Sequence, residues 1–140
     1  MEVDFLILAD RAEAMNGKLY MVGGGFDRVR SSNLQFGVDI DVAFGILVDY
    51  NETNERHSFD LTLENADNRA IVGPIHGEFE VGRPAGMLPG QQQRISYVVR
   101  GPFPIPEPGS YQWVVALDDV REKVTAFHVD QVLAAPHGGA

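Results

Sequence analysis

The first feature of the sequence that could bind a ligand is a run of three glycines after an apolar segment, Gly23, Gly24 and Gly25. Glycine-rich loops that open a helix hold phosphate groups through backbone N–H donors. A dinucleotide-binding fingerprint needs glycine at its first, third and sixth positions, but the sixth residue counted from Gly23 is Arg28. No lysine followed by serine or threonine comes after the run, and no helical apolar period follows it. The glycines therefore predict a bent or bulged strand, and no cofactor is expected.

Histidines and paired carboxylates are the other residues that could do chemistry. The four histidines, at positions 57, 76, 128 and 137, show none of the two-residue or four-residue spacings that place two ligands on one face. Carboxylates two apart on a strand, such as Glu78 and Glu80, lie about 6.5 to 7 Å apart on an open face rather than in a cleft. No Gly-x-Ser-x-Gly elbow occurs, and no serine or histidine stands in a triad context. We therefore expect no enzyme and no specific metal ligand. Whether the acidic face of the sheet binds a divalent cation weakly is not decided by the sequence.

The composition describes one acidic domain. At 140 residues, the chain has the length of a single domain with its own core. Its net charge of −9 repels the phosphates of nucleic acids and anionic membranes, so neither is expected as a partner. There is no cysteine, no apolar stretch of about 20 residues, and no basic and apolar leader at the start. These observations favour a cytoplasmic protein.

Alternation with a period of two residues runs through most of the chain. Between Val38 and Val48 the even positions are all apolar, while the odd positions are mostly acidic or small. This pattern predicts a strand with one buried face. Similar strands, separated by turn-rich breaks, recur about eight times without a long amphipathic helix. The expected fold is an all-β, antiparallel Greek-key β-sandwich of about seven to nine strands, of immunoglobulin or fibronectin-III type.

Residues 10–14 interrupt this pattern and predict one short helical turn. Asp10 can cap the turn, Glu13 completes a capping box, and Gly17 ends it. We place a single domain over residues 1–130. Residues 131–140 end in small side chains and are expected to form a flexible tail.

The residues around one aromatic strand narrow the type of sandwich. Pro108 and Gly109 precede Tyr111, the position at which Greek-key proteins place a tyrosine that closes a corner through its hydroxyl. Trp113 lies two residues further on and points the same way. An aromatic ligand platform is the alternative, but an inward-alternating pair of this kind is more often part of the core.

Two loops carry residues that could contact a partner. Residues 101–109 contain four prolines, which suit a polyproline II ligand or, as we favour, a stiff crossover between two sheets. Residues 82–91 present Met87 and Leu88 between turn residues, where apolar side chains are candidate contact points. Aromatic residues expected at loop ends add three further candidates, Phe26, Tyr50 and Phe103.

The chain resembles a family of small, uncharacterised bacterial proteins. The resemblance rests on the opening MEVDFLILAD, on NGKLYMVGGGFDRV, and on ILVDYNETNERHSF and GEFEVGRPAG, and it covers nearly the whole chain. It implies a single β-sandwich of bacterial origin without an established activity. It implies no catalytic residue and no ligand.

Apolar residues on nominally outward faces give the leading functional hypothesis. Four residues fall on such faces, so that a second subunit or the N-terminal segment could cover one sheet: Ala43, Leu47, Val114 and Ala116. We therefore expect a non-catalytic protein-interaction or assembly module that self-associates. The alternative is a small-ligand or carbohydrate-binding sandwich that uses the loop-end aromatics with nearby carboxylates.

Overall fold

Nine β-strands form two sheets in the computed structural model, which describes residues 1–133. In chain order the strands are β1 (Glu2–Met15), β2 (Lys18–Gly24), β3 (Arg28–Ser31), β4 (Asp41–Asp49), β5 (Arg56–Asn65), β6 (Ala70–Glu80), β7 (Gln92–Arg100), β8 (Gly109–Leu117) and β9 (Val120–Gln131). Two short 3-10 helices span Leu34–Phe36 and Tyr50–Glu52. The sheets have the orders β2-β1-β4-β7 and β3-β9-β8-β5-β6. The expected all-β fold is confirmed, although β3 and β9 pair in parallel.

The two sheets stack because their strands alternate apolar and polar side chains. The even residues of β4 from Val42 to Val48 are fully buried in the core between the sheets. Trp113 and Val115 of β8 are buried in the same core, and the ring of Phe103 packs edge-on against Trp113 with centroids 4.7 Å apart. Each large side chain buried in this way contributes roughly 1.5–3 kcal/mol to stability, so the core dominates the fold.

Tyr111 closes the corner between the proline-rich crossover and β8. Its hydroxyl donates a hydrogen bond to the backbone carbonyl of Glu107, with 2.5 Å between the two oxygens. Pro108 lies in the bend between these two residues, and Gly109 begins β8. Burial raises the pKa of the Tyr111 phenol above its usual value. The crossover leads from β7 in one sheet to β8 in the other, as expected for the proline-rich segment.

The helical turn expected at residues 10–14 is wrong, because β1 continues as a strand to Met15. Asn16 and Gly17 follow it with positive φ angles of 52° and 73°, and they form the two-residue turn of a β-hairpin. β2 then pairs with β1 in antiparallel register back to Ala9. The backbone groups of this segment are therefore satisfied across a ladder instead of within a helical turn.

The β1–β2 hairpin covers the outer face of the four-stranded sheet. Ala9 and Ala12 are three residues apart, yet both are buried with Ala43 in a small cluster outside the main core. The alternation of β1 therefore slips by one residue between them, and the hairpin bends over the sheet. Leu19 and Met21 of β2 pack against the same cluster. Of the two coverings that the sequence left open for Ala43, the N-terminal segment is the one present.

Of the remaining outward apolar residues, only Val114 is shielded by its neighbours in the sheet. Val114 is buried on the outer face of the five-stranded sheet, where it lies between its cross-strand partners Thr62 and Val124. Leu47 and Ala116 are partly exposed. Single apolar residues of this kind are common on protein surfaces and do not by themselves define an interface.

The three glycines carry the chain from one sheet to the other. Gly23 has a φ of +63° and faces Asp10 so closely that a Cβ atom would overlap the carboxylate. A Cβ atom on Gly24 would meet the side chain of Met21. Gly25 has a φ of +88° and directs the chain away from β2. β2 thus ends in the four-stranded sheet and β3 begins in the five-stranded sheet only three residues later.

The last strand extends one residue beyond the expected domain boundary. β9 ends at Gln131, and the backbone N–H of Val132 donates to the carbonyl of Ser31 at 3.0 Å. Residues 134–140 of the expected tail lie outside the described residues. Within residues 1–133, no helix has the length and apolar character needed to cross a membrane.

Candidate functional site

A cavity of about 450 Å³ runs beside β3 at the edge of the sandwich. We call it the β3 slot, and its lining comprises Asp10, Phe26, residues 28–32 and residues 37–40. Successive side chains of a strand point to opposite faces, so a cavity that touches five consecutive residues lies along the edge of the strand. Its volume lies in the usual range of ligand pockets.

β3 presents an unpaired edge to the slot because it is the outermost strand of its sheet. The carbonyls of Asp27 and Ser31 accept hydrogen bonds from backbone N–H groups of β9 and its extension. The residues of a strand that bond to one neighbour alternate with residues whose backbone groups point the other way. The N–H and C=O groups of Arg28 and Arg30 therefore point to the open edge.

The opposite wall of the slot is backbone that turns at Asp39, because the N–H of Ile40 donates to the carbonyl of Val38 at 3.1 Å. Val38 pairs with Phe103 through both of its backbone groups, at 2.8 and 3.0 Å. The carbonyl of Ile40 accepts from the N–H of Gly101 at 2.9 Å. Asp39 lies between these two residues, and within residues 1–133 its own backbone N–H and C=O have no hydrogen-bond partner. The slot is thus flanked on both sides by unpaired backbone donors and acceptors.

The charges around the slot are only partly neutralised. Two ion pairs stand at its rim, Arg28–Asp130 at 2.7 Å and Arg11–Asp39 at 2.9 Å. In each pair the arginine hydrogen bond lowers the pKa of the carboxyl group below its usual value. Among residues 1–133, Asp10 and Arg30 form no ion pair with another side chain. The slot therefore offers one negative and one positive group to a ligand.

The structure does not gather the three loop-end aromatics into one platform. Phe26 lines the slot and packs partly buried against the core. The expected contact role of Phe103 is wrong, because its ring is buried against Trp113. Tyr50 follows the far end of β4, about 30 Å away by the length of a nine-residue strand. There the guanidinium of Arg83 stacks on the Tyr50 ring at 3.6 Å.

The loop at residues 82–91 lies at the same remote end of the sandwich. The N–H of Tyr50 donates to the carbonyl of Gln91 at 3.1 Å. The Leu88 side chain is 61% exposed, whereas Met87 is partly buried and its sulfur accepts from Gln93 at 3.6 Å. Leu88 is thus accessible to a partner, but not to one that occupies the slot.

A buried histidine that the sequence did not single out joins two turns of the sandwich. This residue is His57, whose Nδ1 lies 2.8 Å from the Asp118 carboxylate and whose Nε2 lies 2.8 Å from the Glu52 carbonyl oxygen. Burial alone would lower the pKa of His57, but the two acceptors outweigh burial and raise it above its ordinary value. Only the protonated ring can donate to both acceptors. Within residues 1–133, no three histidine or carboxylate side chains are grouped so that they could hold a metal ion.

A serine, a histidine and an aspartate meet on the outer face of the five-stranded sheet, a contact that the sequence did not indicate. The Oγ of Ser110 lies 3.3 Å from Nδ1 of His128, whose Nε2 lies 3.1 Å from Asp130. A hydrolytic serine sits on a sharp turn beside backbone donors for the oxyanion, whereas Ser110 lies within β8 and pairs with β9. Asp130 is also held by Arg28, and the adjoining depression measures only about 260 Å³. We interpret the three residues as a surface hydrogen-bond network.

A larger cavity of about 670 Å³ opens beside the 3-10 helix Leu34–Phe36. Its apolar wall consists of Leu34, Ile71 and Ile105 with two neighbouring prolines. The polar residues of the lining carry amide side chains, and none of the lining residues is charged. This cavity suits an uncharged ligand, in contrast to the β3 slot.

Comparison with known proteins assigns the chain to a family but gives no activity. Residues 4–130 match a family described as one of unknown function. No curated protein matches the chain.

Proposed function

Because the chain belongs to this family, DUF6941, which has no assigned function, we propose a function from the site alone. The domain is a non-catalytic interaction module that binds an extended segment of a protein partner in the β3 slot. A bacterial and cytoplasmic setting is part of the proposal. The resemblance to bacterial proteins, the acidic charge and the absence of cysteine support that setting.

The observation that carries the proposal is the unpaired edge of β3, with the free backbone groups of Asp39 in the lining of the same slot. A segment in extended conformation would bond to the backbone groups of Arg28 and Arg30 on one side. It could reach the backbone groups of Asp39 on the other side. Hydrogen bonds to the main chain give affinity with little dependence on sequence, while the space beside the strand selects side chains. Such binding would also cover an edge that is otherwise open to non-specific pairing.

The unpaired charges define the partner segment further. Arg30 favours a carboxylate, which a guanidinium can hold through two parallel hydrogen bonds. Asp10 favours a basic side chain, and the partly buried ring of Phe26 favours an apolar one. The partner segment therefore combines an acidic, a basic and an apolar residue in a short extended stretch.

A small-ligand function is the second candidate, and the uncharged cavity beside Leu34 favours it. Its volume of about 670 Å³ is large enough for a drug-sized molecule. The carbohydrate version of this idea is weaker, because Phe26 is the only one of the three expected aromatics in the lining of the slot. A thermal-shift screen with neutral sugars and apolar ligands tests it, and a stabilising hit lost in a folded Ile71→Lys variant, at a partly exposed wall residue, would support it.

Selection of random peptides displayed on phage against the immobilised domain tests the partner proposal. Enriched peptides should bind the wild type and lose about fivefold to tenfold in affinity for Arg30→Pro, which removes an N–H donor that points to the open edge. Leu88→Ala, at the remote end of the sandwich, is the matched control and should bind as the wild type does. Enriched peptides that bind a folded Arg30→Pro variant equally well, or no enrichment at all, would contradict the proposal.

A further inference from the structure

We propose that two copies of this chain pair through the open edges of β2, antiparallel, about a two-fold axis at Met21. β2 is the outermost strand of the four-stranded sheet, and its outer edge carries no strand among the described residues. The pairing would join two β1–β2 hairpins into one four-stranded ribbon. It uses a different edge from the β3 slot, so it does not depend on the partner proposed above.

The edge of β2 lacks the features that keep edge strands apart. Natural edges are blunted by charged side chains, proline or very short strands. β2 has seven residues, no proline and one charge, that of Lys18. Val22 is 70% exposed and Tyr20 is 50% exposed on the side turned away from the sheet.

Charge also favours this segment as the place where two copies meet. The chain has a net charge of −9, so two copies repel each other over most of their surface. Residues 14–26 contain no acidic side chain, and Lys18 is their only charged residue. A second copy can therefore approach this edge without placing carboxylates opposite one another.

The hairpin turn determines which backbone groups of β2 face outward. Met15 and Lys18 flank a two-residue turn, so they form a hydrogen-bonded pair. Hydrogen-bonded and non-hydrogen-bonded pairs alternate along an antiparallel ladder. The even residues of β2 therefore bond to β1, and the backbone groups of Leu19 and Met21 point to the open edge, while Gly23, with a φ of 63°, ends the extended part of the strand.

This pattern selects one register for two identical strands. A hydrogen-bonded pair of Met21 with Met21 of the second copy keeps all seven residues of β2 in overlap. Tyr20 then lies opposite Val22 of the second copy in a non-hydrogen-bonded pair, where Cα atoms are about 4.5 Å apart and side chains are closest. Aromatic and β-branched residues form favourable cross-strand pairs. The two exposed side chains of the edge thus cover each other twice in one symmetric contact.

Pairing along one short edge buries little area, so we expect a weak, concentration-dependent dimer. Light scattering across a concentration series should show a wild-type dimer. In Val22→Lys the dissociation constant of the dimer should rise at least tenfold, because a charged side chain then replaces the valine opposite Tyr20 of the second copy. Val120→Lys, a change at another exposed valine, on β9, is the control and should dimerise as the wild type does. A wild type that stays monomeric at every concentration would overturn the proposal.

Engineered cysteines test the register, because the chain has no cysteine of its own. In the proposed dimer the two Met21 Cα atoms lie about 5.5 Å apart, which suits a disulfide. Met21→Cys should therefore form a disulfide-linked dimer on mild oxidation. Leu19→Cys should not, since the two Leu19 residues face Gly23 instead of each other. Equal cross-linking of both variants would refute the register, even if light scattering shows a dimer.

Discussion

His57 and Asp118 join the start of β5 to the β8–β9 turn through a hydrogen bond of 2.8 Å. The second oxygen of Asp118 accepts from the N–H of Ser58 at 2.9 Å, so both carboxylate oxygens hold β5. Asp118 has a φ of 46°, in the left-handed region, within the tight turn between the two strands. The turn and the strand beside it are therefore fixed by one carboxylate and one buried imidazole.

The raised pKa of His57 predicts that stability falls as pH rises. A group whose pKa is higher in the folded chain contributes fully below its unfolded pKa of about 6.5, and loses that contribution as pH rises through the folded pKa. Urea denaturation should thus give a lower free energy of unfolding for the wild type at about pH 9 than at about pH 6. The decrease should be smaller in His57→Gln.

The exposed histidine at position 76 provides the control for this measurement. Its hydrogen bond to Asp60 also raises its pKa, but the pair is largely open to solvent. His76→Gln should therefore retain most of the wild-type dependence on pH. A wild-type slope that persists unchanged in His57→Gln would show that the buried pair does not cause it.

Substitutions at the first two glycines of the run should differ in their cost. Gly23→Ala forces a left-handed residue and a collision with Asp10, and should lower the free energy of unfolding by at least about 1–2 kcal/mol. Gly24→Ala should cost less, because only the flexible side chain of Met21 must move. The branched side chain of Gly24→Val should cost more than the alanine. Thermal unfolding measures all three, with Gly82→Ala, whose Cβ would meet nothing within 4 Å, as a neutral control.

Loss of the Tyr111 hydroxyl should weaken the corner without disturbing the core. Tyr111→Phe leaves the carbonyl of Glu107 without its donor and should reduce the free energy of unfolding by about 1 kcal/mol. Tyr20→Phe, at a half-exposed ring, should have no measurable effect when the chain is dilute. Equal stability of the wild type and Tyr111→Phe in urea would show that this hydrogen bond does not stabilise the fold.

The buried carboxylate of Asp41 should control how firmly the N-terminal hairpin lies on the sheet. One of its oxygens accepts from the N–H of Ala12 at 2.9 Å, and the other has no hydrogen-bond partner. In Asp41→Ala the amide hydrogen of Ala12 should exchange at least about tenfold faster, while amides of β8 keep their protection. Asp41→Asn retains an acceptor oxygen and should preserve the protection of Ala12. Fast exchange in both variants would point to the charge itself rather than the hydrogen bond.

Features that depend on local alternation could be predicted from the sequence. The residues of β4 that face the core recur at every second position, and this alternation can be read from the sequence of the strand alone. The corner at Tyr111 could also be predicted, because the residues that form it all lie between Glu107 and Tyr111. The bend at the glycine run could be predicted in the same way, since three residues without side chains interrupt a regular strand, but the change from one sheet to the other could not.

Features that depend on pairing could not be predicted in this way. Asn16-Gly17 fits the end of a helix and the turn of a hairpin equally well, and only the partner strand decides between them. The contact of Ser110 with His128 requires the register of β8 and β9, which shifts by one residue near Val115. The β3 slot lies between residues 28–32 and residues 37–40, so no single stretch of sequence predicts it.

The hairpin that lies over the four-stranded sheet gives one side of the molecule a third layer. A face that the chain has already closed with its own first strands is not available for stacking against another protein. On this side of the molecule, contacts with other chains are then left to the open edge of β2, where backbone groups remain unpaired. Pairing at that edge would therefore widen this third layer sideways instead of adding a fourth.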